Sequence, residues 1–261
     1  MRILTLIAAL LCTPLAAQDS RLQEMQTGDD SRGWEGVGRL DIIGKGFCTA
    51  ALISEDMILT AAHCVYDNDG ALIAPDRFVF EAGLRNGRAE ASRGIKRALA
   101  HPDYVHDGPS ADTSEVATDI AILSLDRPIR TGRINPFPVS RKPLRGDQVG
   151  IVSYARDRAE APSLQEVCNV LGRQNGVILM TCEIDYGSSG APVFMMQNGA
   201  AHIVSVVSAM AEVDGARISI GTSLEAPLNM LLASFNDIPR GTTNNLTSGQ
   251  RRDTGAKFVK P

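Results

Sequence analysis

Short apolar runs, each bounded by turn residues, recur along residues 36–223 of this 261-residue chain. Runs of this kind are typical of strands in an all-β protein and not of helices that alternate with strands. The first six runs are Gly38–Ile43, Phe47–Ile53, Met57–Thr60, Phe78–Gly83, Gly94–Ala100 and Ile120–Leu125, and the last six are Gln148–Tyr154, Leu164–Val170, Gly176–Thr181, Ala191–Met196, His202–Ala209 and Arg217–Ser223. Six strands on each side are enough for two small closed barrels, and closure removes exposed sheet edges. The pattern therefore predicts two six-stranded antiparallel β-barrels.

A proline-rich stretch, Asn135–Pro138, separates the two sets of strands. It predicts a boundary between an N-terminal barrel over residues 36–135 and a C-terminal barrel over residues 136–223. Apolar positions then continue with a spacing that fits one amphipathic helix over residues 224–236. The remaining residues, 237–261, are polar and rich in glycine and asparagine, which predicts a disordered tail.

The first 17 residues have the pattern of a cleaved signal peptide. Arg2 is followed by the apolar run Ile3–Leu11 and by the small residues Ala16 and Ala17. The run is too short for a stable membrane anchor, so we expect a secreted or periplasmic protein. Residues 18–35 are polar and predict a flexible leader or a short propeptide.

Composition and charge narrow the possible functions. The chain is 44% hydrophobic, which is enough for a sizeable core, and its formal net charge of −4 gives no indication of a nucleic-acid partner. Removal of the signal peptide leaves four cysteines, and an even count in an exported chain indicates disulfides. Four cysteines allow three pairings, and buried free thiols are the alternative.

Three segments carry candidate chemistry. His63 lies in Thr-Ala-Ala-His-Cys, Asp119 begins an apolar strand, and Ser189 lies in Gly-Ser-Ser-Gly-Ala-Pro. A serine hydroxyl is a poor nucleophile at neutral pH, so it needs an imidazole that accepts its proton. That imidazole in turn needs a carboxylate that fixes its tautomer. The three residues are therefore candidate members of a catalytic triad.

In the order His, Asp, Ser, these segments resemble the trypsin/chymotrypsin-like serine peptidases, and among them the secreted bacterial glutamyl endopeptidases. The resemblance implies a serine endopeptidase in which Ser189 attacks the peptide carbonyl, His63 accepts the proton and Asp119 orients the ring. It also implies an oxyanion hole formed by the backbone amides of Gly187 and Ser189.

The position of Cys64 beside His63, with Cys48 in the preceding apolar run, favours a Cys48–Cys64 bridge. In the resembled family, a bridge next to the histidine attaches the histidine loop to a neighbouring strand. The second bridge would then join Cys168 to Cys182.

Two adjacent serines compete for the role of nucleophile. The resembled family places its nucleophile directly before a glycine that is followed by one residue and a proline, which here is Ser189. Ser188 takes the position where trypsin has an aspartate that receives the new N-terminus after zymogen cleavage. The chain also has no Ile-Val-Gly-Gly-like start near Gly36. Activation by a buried ion pair of the trypsin kind is therefore not expected.

Candidate substrate-binding residues precede the oxyanion loop or lie on the facing strand. Glu183 or Asp185 could select lysine or arginine, although both also fit an ordinary acidic surface loop. Val207 stands where the glutamyl endopeptidases carry a histidine, so the resemblance does not extend to a preference for glutamate. Ser208 could offer its backbone carbonyl to a substrate strand.

The expected partner is a polypeptide substrate, bound by a monomer without a cofactor. No Cys/His cluster has the spacing of a zinc site. Oxygen ligands alternate in Asp67–Gly70, but without a downstream bidentate glutamate a plain turn is favoured over a calcium site.

Two alternative functions stay open, a non-catalytic secreted binding protein with the same fold and an esterase. Gly-x-Ser-Gly differs from the Gly-x-Ser-x-Gly elbow of α/β-hydrolases, which disfavours the esterase.

Overall fold

The computed structural model describes residues 19–106, 113–140, 143–213 and 215–237, so the predicted signal peptide and the tail from residue 238 onward lie outside the described residues. The strands are β1 (Gln23–Glu24), β2 (Val37–Ile42), β3 (Gly46–Ser54), β4 (Met57–Thr60), β5 (Phe78–Ala82), β6 (Ala91–Ala100), β7 (Ala121–Leu125), β8 (Gln148–Ala155), β9 (Arg158–Gln174), β10 (Val177–Met180), β11 (Pro192–Gln197), β12 (Ala200–Val213) and β13 (Ala216–Ser223). The helices are α1 (Thr113–Val116) and α2 (Glu225–Asp237), with short 3-10 helices at Ala62–Val65 and Pro75–Arg77.

The first sheet is a closed barrel with the strand order β2-β3-β4-β7-β6-β5. Strands β2 and β5 alternate buried and partly exposed positions over most of their length, as expected from the period of two along a strand, whereas β3, β4 and β7 each have three or more buried residues in succession. In β5, for example, Phe78, Phe80 and Ala82 are buried while Val79 and Glu81 are partly exposed. Burying each phenylalanine contributes about 1.5–3 kcal/mol, so this alternation stabilises the barrel interior.

The second sheet has the order β1-β9-β10-β13-β12-β11-β8, and an additional pairing joins β8 to β9. That pairing closes six of the seven strands into a ring, with β1 added outside it on β9. Together with the first barrel and α2, the second sheet confirms the prediction of an all-β fold with two strand sets and a C-terminal helix.

Strand β1 lies in the segment that the sequence predicted to be a flexible leader. Gln23 and Glu24 pair antiparallel with β9, and Met25 is only 3% exposed. The N–H of Ser20 donates to the carbonyl of Val167 at 2.8 Å. The pairing uses main-chain groups and one buried apolar residue, so a polar side-chain pattern did not reveal it. The predicted leader therefore contains a two-residue edge strand.

Helix α2 packs its apolar residues against the core, where Leu228 and Leu231 are buried. The Arg97 guanidinium donates from Nη2 to the carbonyl of Phe235 at 2.6 Å and lies over the Phe235 ring. These contacts attach the end of the helix to β6.

Two disulfides are present, Cys48–Cys64 within the first barrel and Cys168–Cys182 in the second sheet. They have the pairing that the sequence favoured. Among the described residues, no helix is both long and apolar enough to cross a membrane.

Candidate active site

His63 lies in the 3-10 helix that follows β4, at the rim of the first barrel. Its neighbour Cys64 is fully buried and is bridged to Cys48 on β3, which fixes the start of the loop. The His63 side chain is 26% exposed, so one edge of the ring is accessible while Nδ1 faces the protein. The loop therefore presents a histidine with one protected and one accessible nitrogen.

Asp119 is the protein group that faces His63 Nδ1. Its carboxylate accepts from Nδ1 at 2.7 Å and from the backbone N–H of His63 at 2.8 Å. The side chain is only 3% exposed. Burial by itself raises the pKa of the Asp119 carboxyl, but the His63 ring and hydrogen bonds from His63 and Ser208 outweigh burial and hold the pKa below its ordinary value. The carboxylate thus stays ionised and holds the imidazole in the tautomer with Nδ1 protonated.

Ser208 on β12 contributes a contact that the sequence did not suggest. Its hydroxyl donates to Oδ2 of Asp119, so the two sheets meet at this carboxylate. The sequence assigned Ser208 to substrate binding through its backbone, whereas its side chain supports the aspartate. A hydrogen bond to the ionised form of a carboxyl lowers its pKa, which helps to keep Asp119 charged.

Ser189 lies in a tight loop between β10 and β11, and two glycines in the left-handed region shape this loop. Gly187 has φ +100° and Gly190 has φ +77°. A Cβ built on Gly190 would lie 2.0 Å from Thr60 Oγ1 and 2.3 Å from the Thr49 carbonyl oxygen. The N–H of Thr49 donates to the carbonyl of Ser189 at 2.8 Å. The serine loop is therefore packed directly against the strand end that leads to His63.

The described residues include no hydrogen bond between Ser189 Oγ and His63. The structure brings His63 and Asp119 into direct contact, and it brings the Ser189 loop against β3 and the end of β4. In unliganded enzymes, a catalytic hydrogen bond is often long and tightens only in the substrate complex. Ser189 is partly exposed.

Ser188 has the opposite environment, because it is fully buried. Its hydroxyl donates to the carbonyl of Tyr154 at 3.3 Å and accepts from the N–H of Asp185 at 3.3 Å and from Arg158 Nη2 at 3.4 Å. A hydroxyl has one donor and two acceptor positions, so all three are used. Ser188 is therefore a structural residue of the loop, whereas Ser189 is partly exposed.

The amides of Gly187 and Ser189, expected to form the oxyanion hole, make no hydrogen bond to another described residue. The amides on either side are occupied, since Ser188 N–H donates to the Asp185 carbonyl and Ala191 N–H donates to the Ser188 carbonyl, each at 2.9 Å. Two unpaired amides on one tight loop can bind a negatively charged oxygen.

A cavity of about 240 Å³ adjoins the serine loop. Its lining includes Glu183 and Asp185, two of the residues that the sequence assigned to substrate binding. Val207 and Ser208 are not among the described residues that line it. Val207 is 1% exposed and packs in the core of the second sheet. The pairing of β12 with β13 shifts register between Val207 and Ala209, which leaves Ser208 as the unpaired residue of a bulge.

Comparisons with known proteins identify the family. A family model described as Trypsin matches residues 27–225, which is well over half of the chain. The chain belongs to the trypsin family. The resemblance that the His, Asp and Ser segments predicted is thereby confirmed.

Individual relatives of this trypsin-family chain are distant. It is 26% identical to serine protease SP24D of Anopheles gambiae over 194 residues, which cover 66% of this chain and 68% of that protein. It is 27% identical to human mannan-binding lectin serine protease 1 over 124 residues, which cover 42% of this chain and 17% of that protein. The chain thus spans less than a fifth of that longer relative. A solved structure of a Glu endopeptidase in complex with MPD shares the fold, with a TM-score of 0.68, 19% identity, and coverage of 85% of this chain and 99% of that chain.

Two contacts near the candidate site of this trypsin-family chain were not predicted, because the residues that make them are distant in sequence from the motifs. Lys45 donates from Nζ to the carbonyl of His63 at 3.0 Å and to the carbonyl of Tyr66. Burial lowers the pKa of this lysine, and the charge of Asp67 opposes the shift. Leu22, from the segment beside β1, lines the cavity next to the serine loop. No local sequence pattern marks either contact.

One cluster of potential metal ligands lies at the site of this trypsin-family chain. The ligand atoms of Cys48, His63 and Cys64 all lie within 4.8 Å of one another. The two cysteines are joined in a disulfide, so neither offers a thiolate to a metal. In the acidic turn, Asp67 Oδ1 accepts from the N–H groups of Asp69 and Ala71, the geometry of a plain turn.

Proposed function

We propose that this chain is an exported serine endopeptidase that hydrolyses peptide bonds through an acyl-enzyme on Ser189. The observation that carries the proposal is the buried Asp119–His63 pair, with the Ser189 loop packed against the strand end that leads to His63. Membership of the trypsin family supports proteolysis as the activity.

In the proposed acylation step, Ser189 Oγ attacks the substrate carbonyl while His63 Nε2 accepts the serine proton. Asp119 holds the proton on Nδ1 and stabilises the imidazolium that forms. His63 then gives the proton to the leaving amine, which releases the first product. Water, activated by the same ring, attacks the acyl-enzyme and releases the second product.

The negative charge of the tetrahedral intermediate would be stabilised by the N–H groups of Gly187 and Ser189. Both amides lack an acceptor among the described residues, so both are free to donate to the oxyanion. Loss of one such donor costs about 2.7–4 kcal/mol of transition-state stabilisation in related chemistry. The shape of the loop would therefore contribute to the rate in addition to the nucleophile itself.

The proposed substrate is a polypeptide, and the cavity next to Glu183 and Asp185 would receive the side chain that precedes the scissile bond. Its lining contains acidic residues and also two arginines, Arg158 and Arg217. Charges of both signs in one cavity weaken the expectation of a strong preference for lysine or arginine. The two disulfides support export, because such bridges persist in oxidising compartments.

The test is labelling with a fluorophosphonate probe, which reacts with an activated serine, together with digestion of a peptide library. Wild type should be labelled and should cleave peptides, and Ser189→Ala should do neither. Ser188→Ala, a change at the adjacent serine that leaves the Ser189 hydroxyl in place, is the comparison variant and should still be labelled, although more slowly than wild type.

Two outcomes would contradict the proposal. Unlabelled wild-type protein that leaves the peptide library intact would favour the alternative of a secreted binding protein with a peptidase fold. Loss of labelling in Ser188→Ala, with labelling retained in Ser189→Ala, would move the nucleophile to the neighbouring serine.

A further inference from the structure

Arg158, the first residue of β9, contacts the serine loop. Its guanidinium donates from Nη1 to the Ser153 carbonyl at 3.0 Å and to Ser153 Oγ at 3.1 Å. Its Nη2 donates to Ser188 Oγ at 3.4 Å. The guanidinium thus joins β8 to the residue between the two proposed oxyanion donors.

Arg158 is buried to an unusual degree for a charged side chain. It is 11% exposed, whereas Asp157, with its carboxylate 3.8 Å from Arg158 Nε, is 71% exposed. Burial lowers the pKa of Arg158, and the charges of Asp157, Asp185, Glu183 and Glu24 oppose the shift. Burying a charge without a close buried counterion costs folding free energy. We therefore expect a functional reason for the contacts of Arg158 with Ser153 and Ser188.

The position of Ser188 suggests that role. Gly187 precedes Ser188 and Ser189 follows it, so any movement of Ser188 displaces both unpaired amides and the Ser189 hydroxyl. The Ser188 hydroxyl has all three hydrogen-bonding positions filled, and Arg158 fills one of them.

We propose that Arg158 is a positioning residue that holds Ser188, and through it the Gly187 and Ser189 amides, in the shape that binds an oxyanion. In trypsin, the residue at the position of Ser188 contacts the new N-terminus that zymogen cleavage generates. Here the Arg158 guanidinium would take the place of that N-terminal cation, so no cleavage would be needed for this contact. The inference rests on the proposed peptidase function for its kinetic consequence, but its effect on loop order is independent of catalysis.

The first test compares Arg158→Met with Arg173→Met, the same change at an exposed arginine of the same strand. For a peptide substrate, kcat of Arg158→Met should fall about 10²–10³-fold, the effect of a lost oxyanion donor, with KM changed by less than about threefold. Arg173→Met should behave as wild type. A folded Arg158→Met that keeps wild-type kcat would overturn the inference, as would a loss confined to KM.

A double-mutant cycle tests whether Arg158 acts through Ser188. If it does, Arg158→Met combined with Ser188→Ala should lose little more kcat than Arg158→Met alone. Multiplied losses in the double variant would mean that the two residues act separately and would overturn the proposed route.

Hydrogen–deuterium exchange measures the protection of the backbone amides in the loop and does not depend on activity. In Arg158→Met, amides of residues 185–190 should exchange faster while those of the first barrel keep their protection. If wild type cleaves nothing but this local increase is seen, the positioning role stands and the proposed function fails. An unchanged loop, or a uniform rise over the whole chain, would overturn the positioning role. Should Arg158→Met not fold, Arg158→Lys, which keeps the charge but cannot contact Ser153 and Ser188 with one planar group, serves in the same three measurements.

Discussion

The candidate site has a base side around His63 and a nucleophile side around Ser189, and different interactions stabilise each. His63 is fixed by charge-assisted hydrogen bonds to a buried carboxylate and by a neighbouring disulfide. The Ser189 loop is held by glycines with positive φ, by hydrogen bonds from the N–H and the hydroxyl of Thr49 on β3, and by the Arg158 contact with Ser188. The first side depends on ionisation and the second on shape. The two sides should therefore fail under different perturbations.

The largest expected effect is on the base side. Asp119→Asn replaces the carboxylate by a neutral amide that can leave His63 in the wrong tautomer, and in triads of this kind kcat falls about 10⁴-fold. Asp126→Asn, at the exposed position after the other end of β7, is the matched control and should leave kcat unchanged. Steady-state kinetics on a peptide substrate decide the point. An Asp119→Asn enzyme within tenfold of wild type would remove Asp119 from the proposed triad, since that loss is far below about 10⁴.

The shape of the serine loop can be tested at a single glycine. Gly190→Ala places a methyl group 2.0 Å from Thr60 Oγ1, so the loop has to move away from the end of β4. We expect kcat to fall about 10²–10³-fold, as for a misplaced oxyanion donor. Gly199→Ala controls for backbone strain, because Gly199 has a similar φ of +80° but no atom within 4 Å of the added Cβ.

Gly199→Ala should cost about 1–2 kcal/mol of unfolding free energy from the left-handed backbone alone, with kcat unchanged. Equal kinetic losses in the two alanine variants would show that strain, and not the approach of the loop to Thr60, controls activity.

Removing each disulfide separately tests the difference between the region around His63 and the second sheet. The bridges close loops of similar length, with sequence separations of 16 and 14, so each should contribute about 3 kcal/mol to the free energy of unfolding. The paired change Cys48→Ser and Cys64→Ser should also lower kcat, because Cys64 adjoins His63. The paired change Cys168→Ser and Cys182→Ser should act mainly on KM, since Cys182 lines the cavity. Urea unfolding and steady-state kinetics measure both effects, and a reversed kinetic pattern would contradict the comparison.

Several of these features were predictable because they are local in sequence. The strands follow from apolar runs, and His63, Asp119 and Ser189 lie in short motifs. The support of the serine loop was not predictable, because Ser153, Arg158 and Ser188 meet only when β8 and β9 pair and the loop packs on them. Strand β1 was missed since main-chain pairing leaves little trace in polar side chains. The bulge in β12 between Val207 and Ala209 was not predictable either, because a bulge cannot be inferred from the alternation of apolar residues.

Acid should weaken the base side through Asp119. Its pKa in the folded protein is below the ordinary value, so the stability it contributes is fully present above the unfolded-state pKa of about 3.9 and is lost as pH falls through the folded-state pKa. The difference in unfolding free energy between wild type and Asp119→Asn should therefore be larger at neutral pH than near pH 3. Urea titrations at both pH values measure it. A difference that is the same at both pH values would show that the charge of Asp119 does not stabilise the fold.

The smallest expected effect is on substrate preference, which we expect the cavity to determine and not the base side or the nucleophile side. Glu183 is exposed and shares the cavity lining with Arg158 and Arg217, so its charge is screened by solvent and offset by neighbouring cations. Glu183→Gln should change the ratio of kcat/KM for lysine over leucine before the scissile bond by less than about tenfold. Glu166→Gln, a change on β9 outside the residues that line the cavity, is the control. A loss of lysine cleavage well above tenfold would show that Glu183 is a specificity determinant, and the cavity would then depend on charge as strongly as the base side does.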